Sequence, residues 1–277
     1  MRTRQRLTRT ARAVRSAVTH PPWVTPGHFY SPISSAADVE RALHWPADFP
    51  GIQLREKRQL ALAAELISLF DGVPERRYRA GNGMYDLGDA SIYQAILRHA
   101  TPARVVEVGS GFSTAKLLDT ADEFLPHLTV TCIEPHPARL LGLLLPGDAI
   151  DLVDAPVQDV PIEVFTALES GDVLFIDSTH VVKAGSDVVW LFSRVLPRLA
   201  SGVLVHIHDI AWPFEYPAAW LREGRNWNEA YLLQAFLCHN DAWRIEFFSS
   251  WFWHEHLDLV PGGLLAEQPG SIWLRRR

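Results

Sequence analysis

The sequence has few cysteines, no long apolar run and no excess of positive charge, and each of these shortages excludes a class of protein. Its two cysteines, Cys132 and Cys238, lie far apart without the spacing of metal ligands. We therefore do not expect a structural zinc site or a set of disulfides, and the cysteine content is typical of a protein of the reducing cytoplasm. No stretch approaches the ~20 uninterrupted apolar residues of a membrane-spanning helix. The formal charge of -6 at pH 7 disfavours general nucleic-acid binding, so we expect a soluble cytoplasmic protein.

The N-terminal segment departs from this charge balance. Residues 1–20 carry six arginines and no acid, and they lack the apolar core of an export signal. A solvated or partly helical extension is the favoured interpretation, and contact with nucleic acid or an anionic membrane is the alternative. The proline-rich segment 20–34 predicts an extended connector, and a helical period over 60–70 ends at Asp71-Gly72. We predict a basic arm and accessory helical cap over residues 1–80, followed by one larger domain over 81–277.

Beyond residue 104 the chain alternates between predicted strands and helices. Strands are predicted at RVVEV (104–108), TVTCIE (129–134), IDLV (150–153), DVLFID (172–177) and GVLVHIHD (202–209), with helices beginning near residues 114, 137, 162 and 186. Such alternation is typical of a mostly parallel sheet with helices on both faces. After residue 210 we predict a Trp/Pro-rich loop, a helix over about 228–239, and strands at WRIEFFSSWF (243–252) and SIWLRR (271–276).

The segment VVEVGSGFST (105–114) predicts a cofactor loop, because a buried strand stops at glycine and turns straight into a helix. Gly109 and Gly111 match the dinucleotide fingerprint G-x-G-x-x-G, but Thr114 stands in the third glycine's place, which weakens a nicotinamide interpretation. Glu107, near the carboxyl end of the strand, would repel phosphates and attract an ammonium group. Glu134 ends the next strand, where a carboxylate can accept both hydroxyls of a ribose.

These motifs, together with FIDSTHVVKAGSD, VHIHDIAWPFEYP and WNEAYLLQAFL, resemble the class I S-adenosylmethionine-dependent methyltransferases. Within that class the chain resembles the methyltransferase 24 and macrocin O-methyltransferase-like group over roughly residues 20–277. The resemblance implies an α/β fold, a doubly wound Rossmann-like, mostly parallel sheet of seven strands in the order 3-2-1-4-5-7-6, the last strand being antiparallel. It also implies S-adenosylmethionine as cofactor, held by Glu107, Gly109, Ser110, Gly111, Ser113, Glu134, Val157, Gln158 and Asp177.

Within that set the resemblance gives some residues particular roles. Glu134 would hold the ribose, and Val157 and Gln158 in the segment APVQDV would contact the adenine. The alternatives are a helix-capping or surface glutamate and an ordinary turn glutamine. Ser113 departs from the family's first motif, because it replaces the last glycine.

Methyl transfer from a sulfonium is an in-line displacement, so the protein must align the acceptor and accept its proton. The resemblance extends to the catechol-O-methyltransferase-type branch of this class, called catechol-type below, and His180 matches the position of that branch's lysine base. An imidazole titrates near neutrality, so His180 is the leading general base. Lys183 is a weaker candidate. Asp177, His208 and Asp209 complete the catalytic candidates, all at predicted strand ends.

A metal site at the same strand ends is left open. Asp177 and Asp209 match two metal-ligating aspartates of the catechol-type branch, but Ile210 stands where that branch has an asparagine ligand. With His180 or His208 as a nitrogen donor nearby, a divalent ion held by Asp177, His208 and Asp209 stays an uncertain alternative, and a transition metal would suit the set better than magnesium.

Two segments, 82–93 and 212–220, are expected to cover the donor and acceptor. The candidates for the wall of the substrate pocket are Tyr85, Asp89, Trp212, Phe214 and Tyr216. Aromatic residues and prolines in a loop suit a rigid cover for a planar acceptor, and plain core packing is the alternative for each side chain.

Together these features predict a methyltransferase that acts on a small-molecule acceptor of specialised metabolism, most simply at oxygen with a histidine base. Three alternatives stay open: methylation at nitrogen or carbon of an aromatic or peptide-derived metabolite, a metal-dependent hydrolase built on His206, His208 and Asp209, and a binding protein without turnover. Ten tryptophans and an aromatic C-terminal region permit a homodimer without requiring one.

Overall fold

The computed structural model describes residues 22–263, 265 and 267–277, and it divides into two compact units. The smaller unit contains residues up to Pro46 and the segment Ala218–Asn226, and the larger contains Ala47–Pro217 and Trp227–Arg277. The predicted arginine-rich arm lies outside the described residues. The domain boundary near residue 80 stays a prediction.

Helices and strands alternate through most of the chain. The helices are α1 (Ala36–Ala42), α2 (Glu56–Ile67), α3 (Leu87–Ala100), α4 (Phe112–Phe124), α5 (Ala138–Leu141), α6 (Glu163–Thr166), α7 (Asp187–Trp190), α8 (Ala218–Arg222), α9 (Glu229–Leu237) and α10 (Ser249–His256). The strands are β1 (Arg104–Val108), β2 (Thr129–Ile133), β3 (Asp151–Val153), β4 (Val173–Ile176), β5 (Leu204–His208), β6 (Trp243–Phe248) and β7 (Ser271–Arg276).

The small unit is organised around two short helices. Ser35 caps α1 through a hydrogen bond from the backbone N–H of Asp38 to its hydroxyl, and the Asp38 carboxylate accepts from the Ser35 backbone in return. Arg222 of α8 pairs with Glu40 of α1 at 3.0 Å. Because both partners are exposed, this pair contributes little to stability.

The larger unit is built on a seven-stranded sheet in the order β3-β2-β1-β4-β5-β7-β6. Strands β1 to β5 are parallel, and β7 runs antiparallel to both β5 and β6. This confirms the predicted fold class, strand order and direction of the last strand. Every residue of the central strands β4 and β5 is buried, as expected of parallel strands with helices on both faces.

The register of the central strands positions the site. Val108 of β1 lies beside Ile176 of β4, and Ile176 lies beside Ile207 of β5. The chain leaves all three strands at the same edge of the sheet. The residues that follow them are therefore brought together, although they are separated widely in sequence.

One predicted strand is too long. The segment 243–252 was predicted as a single strand, but β6 ends at Phe248 and α10 begins at Ser249. The Ser249 hydroxyl accepts a hydrogen bond from the backbone N–H of Ser271 and donates one to the Ser271 carbonyl. The Ser250 hydroxyl accepts one from the backbone N–H of Trp212. Serine hydroxyls thus replace the backbone hydrogen bonds of the sheet at the point where the chain turns into a helix.

The helices of residues 22–263, 265 and 267–277 include none with the length and hydropathy of a membrane-spanning segment.

Candidate active site

The loop after β1 is held tightly between neighbouring strands. Gly109 has φ 82°, and a Cβ added there would lie 1.7 Å from the carbonyl oxygen of Asp177. The Gly109 N–H donates to Ile133 and the Asp177 N–H donates to Val108. Only glycine combines this positive φ with so close an approach of two backbones, so the first glycine of the motif is fixed by geometry.

Glu107 lies beneath this loop, fully buried. One of its oxygens, Oε2, accepts a hydrogen bond of 2.6 Å from the Thr114 hydroxyl, which itself accepts one from the Gly111 N–H. The other oxygen, Oε1, is buried without a partner among the described residues. Burial raises the pKa of Glu107 to about 8. Thr114, which departs from the dinucleotide fingerprint, is thus the residue that ties the acid to the loop.

Glu134 follows β2 and faces the same loop. Its carboxylate accepts hydrogen bonds from the backbone N–H groups of Ser110 at 3.2 Å and His136 at 2.7 Å. Glu134 lies on the wall of a cavity of about 480 Å³ that also includes Val157 and Gln158. The Gln158 side chain donates to the Gly185 carbonyl, which holds it at the cavity wall. This cavity could hold a nucleoside with its ribose toward Glu134.

A second cavity of about 280 Å³ shares five wall residues with the first: Gly109, Glu134, Asp177, Ser178 and Thr179. Its wall also includes three of the predicted donor-loop residues, Ser110, Gly111 and Ser113. Its remaining wall consists of apolar and aromatic side chains, of Arg139 from α5, and of the titratable groups that follow or end β4 and β5: Met84, Tyr85, Phe112, Arg139, His180, His208, Asp209 and Trp227. The shared residues place the two cavities side by side, as a donor and an acceptor require.

His180 lies at the centre of the charged cluster, buried and with φ 59°. Its Nδ1 is 2.9 Å from the Glu229 carboxylate, and its Nε2 is 3.4 Å from Asp177 and 3.5 Å from Asp209. Burial lowers the pKa of His180, but hydrogen bonds to Asp177 and Glu229 outweigh burial and raise that pKa well above its ordinary value. The imidazole is therefore oriented from one side and faces two carboxylates on the other.

The two histidines of β5 have opposite surroundings. His208 lines the second cavity with its Nε2 3.8 Å from Asp209, and nearby carboxylates, Asp209 foremost, raise its pKa against the effect of burial. His206 is stacked on the Phe175 ring at 4.0 Å, lines neither cavity, and has no hydrogen bond from either ring nitrogen. Burial holds the pKa of His206 well below its ordinary value. A hydrolytic metal site that needs His206 is not supported, because aromatic rings enclose it.

Some of the side chains that follow or end β4 and β5 are possible metal ligands. Asp177, His180 and Asp209 each offer an atom within 4.8 Å of the others, so of the two histidines considered as nitrogen donors this group contains His180 and not His208. The His180 imidazole, whose pKa these carboxylates raise, already lies between the two aspartates. Ile210, which follows, is fully buried and offers no oxygen. Because hard divalent cations prefer several oxygen ligands, these residues fit such an ion poorly.

Of the five residues predicted to line the substrate pocket, one lies on the cavity wall. Tyr85 packs 5.1 Å from the His208 ring. Asp89 instead accepts hydrogen bonds from the Gly270 N–H and the Ser271 hydroxyl, which ties α3 to the start of β7. The other three have contacts away from the cavity: Trp212 and Phe214 pack against Phe49 and Phe248, and the Tyr216 hydroxyl accepts from the Ala230 N–H.

Sequence reasoning assigned no role to Glu229 or Trp227. The Trp227 ring lies 4.5 Å from the His180 ring, and the backbone N–H groups of Asn228 and Glu229 donate to the His180 carbonyl. The Asn228 side chain accepts from the Val182 N–H. The signal was present in the segment WNEAYLLQAFL, whose glutamate stands at the first turn of a helix, but its partner lies 49 residues away.

Comparison with known proteins defines the class. The methyltransferase 24 family model, described as a methyltransferase domain, matches residues 106–210. An uncharacterized protein of Archaeoglobus fulgidus is 35% identical over an alignment 162 positions long, which covers 52% of this chain and 73% of that protein. The chain belongs to the class I S-adenosylmethionine-dependent methyltransferases. Within that class it is a member of the methyltransferase 24 group, so the predicted family and enzyme class are confirmed.

Solved structures with the same general fold include two with distant sequences. The S-adenosylhomocysteine-bound methyltransferase PaMTH1 of Podospora anserina is 12% identical, with a TM-score of 0.48 over 82% of this chain and 98% of that chain. Cofactor-bound Rv0187 from MTB is 15% identical, with a TM-score of 0.45 over 90% of this chain and 99% of that chain.

Proposed function

We propose that the enzyme transfers the methyl group of S-adenosylmethionine to an oxygen of a small-molecule acceptor, with His180 as general base. The observation that carries this proposal is the buried His180 imidazole, oriented by Glu229 and directed at the cavity that adjoins the candidate nucleoside cavity. A base in this place is what hydroxyl methylation needs.

Three acidic residues have different roles on the donor side of the proposed site. Glu134 faces the ribose position of the larger cavity, and Val157 and Gln158 form the wall where the adenine would lie. Glu107 lines neither cavity, and its bond to Thr114 supports the glycine loop from beneath. Asp177, at the boundary of both cavities, would face the sulfonium. When bound, S-adenosylmethionine supplies a methyl group that is already activated for displacement.

The acceptor side supplies the route for the proton. As the pH rises through its raised pKa the His180 imidazole becomes neutral, and with its Nδ1–H donated to Glu229 it then has a free electron pair at Nε2. Nε2 takes the acceptor's hydroxyl proton as the O–C bond forms and the C–S bond breaks, and S-adenosylhomocysteine leaves. Asp177 and Asp209 then stabilise the imidazolium at 3.4 and 3.5 Å. These transfers of a proton and a methyl group need no metal.

The side chains around this base indicate the kind of acceptor. Trp227 and Tyr85 place aromatic rings on the cavity wall, and the half-exposed Met84 adds an adaptable apolar contact. A planar or apolar molecule with one hydroxyl fits these contacts. An amine acceptor, the alternative, would release its proton more readily and would depend less on His180.

Calorimetric titration with S-adenosylhomocysteine tests the donor half of the proposal. We expect Glu134→Ala to weaken binding at least tenfold, since two hydrogen bonds to a carboxylate would be lost at about 1.5–3 kcal/mol each. The matched control is Glu163→Ala, which removes an exposed carboxylate of α6. EDTA should leave the affinity of the wild-type enzyme unchanged. Equal weakening by both substitutions, or a stoichiometric metal whose removal abolishes binding, would contradict the proposal.

A further inference from the structure

A cluster of arginines surrounds a small cavity away from the methyltransferase site. The cavity is lined by residues of three separate segments: 51–55, 237–245 and the chain's last residue, Arg277. Arg55 directly precedes α2, Arg244 lies in β6, and Arg277 follows β7. We name Arg55, Arg244, Arg277 and this cavity the arginine corner.

The positive charges of the arginine corner are incompletely balanced. Arg244 pairs with Glu246 at 2.9 Å, but Arg275 takes the other oxygen of the same carboxylate at 3.1 Å. Arg55 has no ion pair among the described residues, and its Nη1 is buried without a hydrogen-bond partner. Asp241 also lines the cavity, although it forms no ion pair with these arginines.

The pKa of Arg55 also indicates an excess of positive charge at the arginine corner. Burial and the neighbouring arginines, Arg277, Arg58 and Arg244, lower the pKa of Arg55, and they outweigh Glu246, which acts in the opposite direction. Guanidinium groups that repel one another in a partly desolvated place are stabilised when an anion lies among them. The protein as a whole carries a formal charge of -6, so this local excess of positive charge is not a general property of its surface.

We propose that the arginine corner is a binding site for a phosphate group, separate from the methyltransferase site. The cavity of about 30 Å³ has room for about two water-sized groups, so two oxygens of a phosphate can enter it. Guanidinium groups suit phosphate because they present paired N–H donors in one plane. The phosphate belongs either to the free inorganic ion or to a small phosphorylated metabolite, since both present the same oxygens.

Binding is tested with inorganic phosphate and with glycerol 3-phosphate, by calorimetry and by the melting temperature at constant ionic strength set with sodium chloride. We expect a saturable rise in melting temperature for the wild-type enzyme. Arg55→Gln and Arg277→Gln should each weaken phosphate binding at least tenfold. The matched control, Arg198→Gln, removes an exposed arginine elsewhere and should behave as wild type. Arg277 is exposed, so its replacement keeps the test available if Arg55→Gln fails to fold.

The outcomes separate this site from the methyltransferase site. All variants should bind S-adenosylhomocysteine with wild-type affinity, so a failure of the donor proposal and a failure of this one are distinguishable. Tighter binding of glycerol 3-phosphate than of inorganic phosphate would identify a phosphorylated metabolite as the ligand, and the reverse would identify the free ion. An equal response of wild type, both corner variants and the control would mean an adventitious ion only and would overturn the proposal.

Discussion

Replacing Glu229 by glutamine should lower the pKa of His180 while leaving the imidazole in place. Glutamine has nearly the shape of glutamate and can still accept the Nδ1–H, but it carries no charge. A hydrogen bond to a charged group contributes about 1.5–3 kcal/mol and a neutral one about 0.5–1.5 kcal/mol, so the substitution removes about 1–1.5 kcal/mol that favours the imidazolium. At about 1.36 kcal/mol for each pKa unit, the pKa of His180 should fall by about one unit.

This shift can be measured before the acceptor is known. The pH titration of the His180 ring nitrogens by NMR should show a midpoint well above the ordinary value in the wild-type enzyme and a lower midpoint in Glu229→Gln. Glu163→Gln, an exposed substitution on α6, is the control and should leave the midpoint unchanged. Once an acceptor is available, kcat/KM should rise with pH through the same midpoint, because only the neutral imidazole accepts a proton.

Two results would refute this reasoning. A wild-type midpoint near 6.5 would show that the carboxylates do not act on His180 as the geometry requires. A midpoint that is unchanged or higher in Glu229→Gln would show that Glu229 does not stabilise the imidazolium. Either result would remove Glu229 as the residue that orients the base.

Two further substitutions test the packing around the site. His206→Phe should reduce the loss of stability at low pH. Burial lowers the pKa of His206 in the folded protein, so below pH ~6.5 the unfolded chain binds a proton at this residue and the folded protein does not. This difference lowers the free energy of unfolding by up to about 1.36 kcal/mol for each pH unit below that value. Urea unfolding at pH 5 and pH 7 measures this, and equal pH dependence of the two proteins would contradict it. Gly109→Ala should abolish S-adenosylhomocysteine binding and destabilise the fold, because the added Cβ meets the Asp177 carbonyl at 1.7 Å. Gly111→Ala, whose Cβ meets only the flexible Arg139 side chain at 3.2 Å, should be milder, and equal effects of the two in calorimetry and thermal unfolding would argue against a geometric role for Gly109.

The donor half of the site follows from the sequence because it depends on local features. A buried strand, a glycine turn and an acid at the next strand end occur in order along the chain, and parallel pairing brings them to one edge. Glu107 and Glu134 therefore lie where the motif indicates. The same logic brings Asp177 and Asp209 together, since β4 and β5 are neighbours.

The acceptor half depends on contacts that no local pattern encodes. Trp212 and Phe214 occur in a proline-rich loop, where an aromatic ring can equally cover a pocket or fill the core. Here both rings pack against Phe248. Glu229 was missed for the related reason that a glutamate in the first turn of a helix needs no explanation beyond favourable interaction with the helix dipole. Only the tertiary structure shows that it meets His180.

The backbone around the base supports a catalytic role for this loop. His180 and Asp209 are non-glycine residues with φ of 59° and 56°, a conformation that costs free energy unless the surroundings stabilise it. The His180 carbonyl accepts hydrogen bonds from the N–H groups of Asn228 and Glu229. The start of α9 therefore fixes the backbone of His180 and, through the Glu229 carboxylate, its ring. Because one helix terminus sets both, the His180 ring is held in place before any acceptor arrives, which is what the proposed general base requires.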